Sequence, residues 1–222
     1  MGRVLSMLLL LLCLLPAAAF ANVTGARVQE TYKGIKGLRA NFTQVLSHKE
    51  SGSKETRTGV LEFKKPLLVR WETKTPSPEL LVVGKKEIWN VFMDEEAAYK
   101  YPLSLAEDSR SIVRVITGQA ALTQDFDVEP QGYEKGLAKL RFYPHEPTQS
   151  MTEGTLWVQE GSGLIMRVLI VDFYGNTNDI TLQDLDVEAV PADKIFSYTP
   201  PKNFAVEDRT KDGGVPGKGL MQ

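Results

Sequence analysis

Cysteine is nearly absent from this chain: Cys13 is the only one in 222 residues, and it sits inside an apolar stretch near the start. The rest of the chain therefore has no disulfide, no thiol nucleophile and no thiolate for a metal. Histidine is almost as scarce, with His48 and His145 alone, both in polar, loop-like stretches. Neither falls in an H-x-x-x-H or H-E-x-x-H arrangement, so no zinc site is expected. Long apolar runs are also missing, apart from Val4 to Leu15. That run is short for a bilayer, which needs ~20 apolar residues. There is no basic run beyond the Lys64-Lys65 and Lys85-Lys86 pairs, too little for nucleic acid, whose phosphates call for clustered Lys and Arg.

The apolar start is itself a signal. Arg3, the run to Leu15, Pro16 and then Ala19-Phe20-Ala21 have the basic, apolar and A-x-A sections of a cleavable secretory leader. Residues 1–21 are read as that leader, with cleavage after Ala21 and export to a periplasm. Cys13 lies among leucines where a lipidation site would need small residues, so no lipid anchor is expected. Loss of Arg3 leaves 25 basic against 28 acidic residues, a net charge of −3.

From Leu38 onward the dominant period is two. Leu38, Ala40 and Phe42 alternate with Arg39, Asn41 and Thr43, and the same pattern recurs at 58–64, 67–73, 79–83, 87–93 and 97–101. It resumes at 125–130, 137–143, 154–159, 164–173 and 178–188, with a final short strand expected at Ile195 to Tyr198. Gly84-Lys85-Lys86, Gly161-Ser162-Gly163 and Gly175-Asn176 supply turns. Two stretches differ. Val28, Tyr32 and Ile35 have helical spacing within 23–35, and Ile112, Val113, Val115 and Ile116 suit a helix within 105–117 that Gly118 can end. Ten or eleven strands with two or three helices predict a mainly β fold: an incomplete antiparallel barrel, or half-barrel, whose concave apolar face is covered by short helices. One domain is expected over 22–206, with a polar, glycine-rich disordered tail over 207–222.

No catalytic set is apparent. Gly161-Ser162-Gly163 lacks the spacing of a nucleophile elbow, and no phosphate-cradling glycine loop occurs. Asp184 and Asp186 would share a strand face, as a glycosidase pair must, but the same spacing suits the wet face of a strand. No catalytic residue, metal ligand or cofactor is expected.

Several segments in order carry a family resemblance. They are Phe42-Thr43-Gln44, Gly59 to Pro66, Arg70-Trp71-Glu72, Leu81 to Lys85 with Ile88-Trp89, Asp172-Phe173-Tyr174-Gly175-Asn176, and Phe196 to Pro201. With the leader, this series resembles the outer-membrane lipoprotein carrier family, LolA, over nearly the whole mature chain. The resemblance implies a non-enzymatic periplasmic chaperone that takes the acyl chains of lipoproteins into an apolar cavity. Its implied partners are acylated lipoproteins as cargo, an inner-membrane ATP-driven releasing complex and an outer-membrane acceptor lipoprotein. Many members of the family have an arginine before the proline that holds a lid; here Lys65 stands there, with the charge but without the planar fork.

Inward alternation then nominates the acyl-chain contacts. Strands would supply Phe42, Leu61, Phe63, Val69, Trp71 and Ile88 from the first half of the chain. Leu140, Phe142, Trp157 and Phe173 would come from the second half, and Ile112 and Ile116 from the lid. For any one of them the alternative is ordinary core packing. The competing functions are a carrier of another lipid or an envelope-stress sensor on the same fold, a periplasmic hydrolase, and an anchored surface receptor. Nothing in the sequence asks for more than a monomer.

Overall fold

The computed structural model describes residues 23–108 and 110–211; the leader and the far end of the expected tail lie outside them. Helix α1 (Gly25–Gly34) is started by Thr24, whose hydroxyl accepts the Arg27 N–H at 3.2 Å. Its buried side chains Val28 and Tyr32 are four residues apart and so share one face.

Six strands follow: β1 (Gly37–Ser47), β2 (Lys54–Lys64), β3 (Leu68–Thr75), β4 (Glu79–Val83), β5 (Glu87–Phe92) and β6 (Ala97–Pro102). The expected mid-chain helix is two short ones, α2 (Ser104–Glu107) and α3 (Ile112–Ile116). Five antiparallel strands come next: β7 (Phe126–Glu134), β8 (Leu137–Pro144), β9 (Glu153–Gln159), β10 (Leu164–Val171) and β11 (Thr177–Asp186). A last short strand, β12 (Ala205–Asp208), ends the series.

Among the described residues all strands belong to one twelve-stranded sheet, ordered β12-β6-β5-β4-β3-β2-β1-β11-β10-β9-β8-β7. It is open and curled, with β12 and β7 at its two edges. The half-barrel expectation is met.

Two details at the C-terminal end differ. Ile195 to Tyr198 is no strand: Asp193–Phe196 forms a 3-10 turn, in which Phe196 is buried. Ordered chain also runs past the expected start of the tail, because β12 extends to Asp208 and lies parallel to β6. This strand has no apolar alternation to betray it. It is held by backbone pairing and by Arg209, whose guanidinium covers the Tyr99 ring at 4.5 Å and donates to the Tyr101 hydroxyl at 3.0 Å.

The main core lies on the concave face. Phe42 and Trp71 pack with ring centroids 4.7 Å apart, and Phe126 meets Phe142 edge-on at 5.4 Å. Two glycines make room for this packing. Gly59 lies directly across from Phe42, and Gly154 across from Phe142; an added Cβ would come within 2.7 and 2.2 Å of those rings. A smaller cluster on the convex face, built on Leu80, Val82 and Trp89, is covered by Tyr198 and Phe204. Asp193 secures that segment by ion pairs to Lys64 at 2.5 Å and Lys85 at 2.8 Å.

Two outcomes follow from this packing. Gly154→Ala overpacks Phe142 and should cost about 1–3 kcal/mol, a drop of several degrees in Tm. Gly161→Ala, where no atom lies within 4 Å of the added carbon, should change Tm little; equal losses would contradict the packing. The Asp193 carboxylate is held at about 2 by Lys64 and then Lys85. A depressed acid contributes stability above its unfolded value, ~3.9, and that contribution is lost as pH falls through about 2. Asp193→Asn should therefore melt slightly earlier than the parent at neutral pH and coincide with it near pH 2. A melting difference that persists at that acid end would rule out the ion pairs as its source.

Candidate functional site: an apolar cavity on the concave face

The concave face is closed at one end and open at the other. At the closed end Tyr32 of α1 is buried, lies against Gly118 after α3, and accepts the Ile165 N–H of β10 at 3.1 Å. Burial pushes its phenol well above the usual range, so it stays neutral. Lys65 donates to the carbonyls of Tyr32 and Lys33 at 2.8 and 2.7 Å. These are the end carbonyls of α1, where a cation complements the helix dipole. The lysine thus fastens α1 and leaves the pair that carries Ile112 and Ile116 to other contacts.

That second pair of helices roofs the open end. Arg114 ties it together by donating to the carbonyls of Glu107 and Gln119. Arg110 forks onto Asp108 at 2.8 and 2.7 Å and reaches the Glu146 carbonyl at 2.7 Å. The same guanidinium holds the Asp108 carboxyl below its usual range.

Beneath this roof is a cavity of about 840 Å³, within the ~300–1,000 Å³ range of small-molecule sites. Its apolar wall includes Leu46, Leu81, Val83, Ile88, Ile112 and Met151. The rim is polar, with His48, Asp108, Arg110, Asp172, Asn176 and Asn178. Most of these polar groups are already paired. Asp172 accepts from the Tyr174 and Asn176 N–H groups and from the Asn176 amide, all at 2.8 Å. Asn176 in turn accepts the Lys49 N–H at 3.0 Å. The Asp172-to-Asn176 segment is thus a turn device that joins the β10–β11 hairpin to the one after β1. Asn178 accepts from Gln44 at 2.9 Å.

Of the acyl-contact residues nominated by alternation, only Ile88 and Ile112 line this cavity. Phe42, Leu61, Phe63, Val69, Trp71, Leu140, Phe142 and Ile116 lie in the concave-face core, each at most 2% exposed. Two expectations fail. Trp157 is buried on the opposite face, because Leu156 and Val158 take the inward positions of β9. There the Arg167 guanidinium covers its ring at 4.0 Å, with Lys139 at 5.4 Å. Phe173 stands in the turn after β10, 69% exposed, and pairs with Tyr174 instead. Alternation missed Met151, Leu105 and Ala106, which reach the cavity from a loop and a helix; a period of two carries no signal for them.

The carboxylates of Asp184 and Asp186 serve local structure. The first accepts from Asn41 at 2.8 Å, and the second from the Glu188 N–H at 2.9 Å. Among the described residues no group of three or more His, Cys, Asp or Glu is placed to hold a metal ion.

Comparison with known proteins agrees with this architecture. Residues 33–199 match the family described as "Outer membrane lipoprotein carrier protein LolA". An outer-membrane lipoprotein carrier protein of Xanthomonas axonopodis pv. citri is 28% identical over 209 residues, which is 93% of this chain and 98% of the relative. One from Bordetella pertussis is 23% identical over 190 residues, 86% of this chain and 89% of its own. Among solved structures, an uncharacterized conserved protein from Thermus thermophilus superposes with a TM-score of 0.54 at 16% identity, covering 83% of this chain and 96% of that one; that likeness speaks for the fold alone. An open, curled sheet with a helix-roofed apolar cavity, matched by this family over three quarters of the chain, places the protein in the LolA family of outer-membrane lipoprotein carriers.

Proposed function

We propose that the protein is a periplasmic chaperone that shields the acyl chains of lipoproteins in this cavity and carries them from the inner to the outer membrane. The observation that carries the reading is the apolar wall beneath α2 and α3, in a chain of this family. Hiding one acyl chain of ~15 methylenes from water is worth on the order of 12 kcal/mol. A carrier must match most of that and still let go, which favours a non-directional apolar lining over many fixed polar contacts. An ATP-driven complex in the inner membrane would load it and an acceptor lipoprotein at the outer membrane would unload it. The carrier itself performs no bond chemistry in this reading.

The roof is the part expected to move. Its helices are four and five residues long, below the length at which a helix is stable alone, and they hold their place by packing and by the Arg110 and Arg114 bonds. Lifting them would widen the mouth, while α1 stays fixed through Tyr32 and Lys65.

The test is to express the mature chain in a periplasm with a lipoprotein and to identify by mass spectrometry what co-purifies. A stoichiometric lipoprotein, bound only when acylated, is the expected result. Free lipid alone would assign another cargo, and an empty cavity would remove the reading. Ile112→Glu puts a charge on the cavity wall at a partly exposed site; it should cut the retained lipoprotein at least tenfold while Tm stays within a few degrees of the parent.

A further inference from the structure

Large apolar side chains that stand singly in water are ordinary; two together on a fixed platform are not. Phe173 and Tyr174 are 69% and 66% exposed, more than any other large apolar side chain among the described residues. They are consecutive in the turn between β10 and β11, and their rings meet edge-on with centroids 5.5 Å apart.

The turn that carries them is held from within and from outside. Asp172 accepts from the Tyr174 and Asn176 N–H groups and from the Asn176 amide, all at 2.8 Å. Gly175 completes the turn at φ +78°, a conformation that glycine adopts freely. The Phe173 N–H donates to the Gln149 carbonyl at 3.0 Å. The Lys49 side chain lies along Gly175, so close that a Cβ there would come within 2.6 Å of its Cδ. The backbone that displays the rings is therefore already ordered, and little entropy is lost there when they meet a surface.

Position and size then narrow what they meet. Asp172, Tyr174 and Asn176 line the rim of the cavity, so the pair stands at its mouth. A buried aromatic side chain covers ~150–250 Å², and the exposed two thirds of two such chains come to roughly 200–350 Å². A stable protein interface takes ~800 Å² from each partner. The rim around the pair adds no apolar area, for His48, Lys49, Gln149 and Ser150 are exposed polar residues. The patch is small for a lasting protein partner, but its chemistry suits the headgroup layer of a bilayer. There a phenylalanine ring sinks among acyl chains, a tyrosine keeps its hydroxyl in the polar layer, and a lysine lies near phosphate.

We propose that the Phe173–Tyr174 turn is a bilayer contact that rests the mouth of the cavity on a phospholipid surface, so that an acyl chain passes between membrane and cavity without crossing open water. The inference rests on the acyl-carrier reading above. Contact through two side chains is shallow and reversible, as a carrier that leaves each membrane requires.

The experiment puts a reporter at the contact. Trp71, Trp89 and Trp157 are each at most 8% exposed, so Phe173→Trp adds the one indole of the four that stands in water. Parent and variant are mixed with vesicles of phosphatidylcholine and phosphatidylglycerol, either plain or with brominated acyl chains, which quench only indoles that reach them. The brominated vesicles should leave the parent's emission unchanged and at least halve the emission that Phe173→Trp adds. The parent should float with plain vesicles, and Phe173→Ser should cut the floated fraction about fivefold. Its Tm and its binding of a fluorescent acyl probe should match the parent's, because Phe173 is not among the residues that line the cavity. No quenching in Phe173→Trp, or equal flotation of parent and Phe173→Ser, overturns the bilayer contact and leaves the pair to a protein partner. A parent that takes the acyl probe but ignores vesicles overturns the contact and leaves the carrier reading standing. A parent that floats but takes no probe supports the contact and removes the carrier reading.

Discussion

The whole architecture hangs on the pairing of β1 with β11. In the sheet β1 to β6 form one meander and β7 to β11 another, and their strands meet only along this seam. Here residues such as Phe42 and Leu182 pair across 140 positions of sequence (182 minus 42). β1 is buried between β2 and β11, and its register fixes which side chains face inward on both halves. A slip of one residue would turn Leu38, Ala40 and Phe42 to the convex side. The remaining strand connections are hairpins or short loops, with two exceptions that follow from the seam. After β6 the chain must reach β7 at the opposite edge, and after β11 it must return to β12 beside β6. The first crossing runs over the concave face and carries α2 and α3. The second runs over the convex face, where Tyr198 and Phe204 cover Leu80, Val82 and Trp89. The roof of the cavity is thus a consequence of strand order: it is the chain in transit.

The two helical covers are fastened by different physics. α1 is pinned by directional bonds, from Lys65 to its end carbonyls and from the Ile165 N–H to its Tyr32 hydroxyl. Aromatic burial closes the face beneath it. α2 and α3 are short and share Arg114 between them; a directional tie runs from the segment joining them, Arg110 to the Glu146 carbonyl, and the helices themselves rest on apolar contacts such as Val113 and Ile116. Apolar contact is non-directional and can be exchanged for contact with an acyl chain at little net change. Directional bonds have no such substitute. The end of the groove roofed by packing is therefore the end suited to admit hydrocarbon.

Much of this was legible in the sequence, for a physical reason. One wet and one dry face impose a period of two, so Phe42, Leu61, Val69 and Trp71 could be assigned inward from alternation alone, and their burial agrees. The rule fails where burial is not one-sided. β9 is covered on both faces, since the side chains of Arg167 and Lys139 bury Trp157 from outside; a buried tryptophan there looks like an inward one. It fails again at β12, whose Ala-Val-Glu-Asp is placed by backbone pairing to an edge strand and has no buried side chain. Cavity lining was harder still. Inward orientation is set by the strand, but whether an inward residue meets a neighbour or open space is set by what the crossing chain covers. Alternation could therefore propose both Ile88 and Phe63 without distinguishing the one on the cavity wall from the one in solid core.

The rim of the cavity bears on how such a protein can hold a load and still release it. Asp108 with Arg110, Asp172 with Asn176, and Gln44 with Asn178 are each satisfied within the chain. A rim that needs nothing from a ligand lets the empty form persist without a polar penalty, and it offers an arriving acyl chain no contact that must later be broken. Binding by area sets how much hydrocarbon is held. Release then needs no polar bond to be broken, only apolar contact to be exchanged for that of the next binding surface.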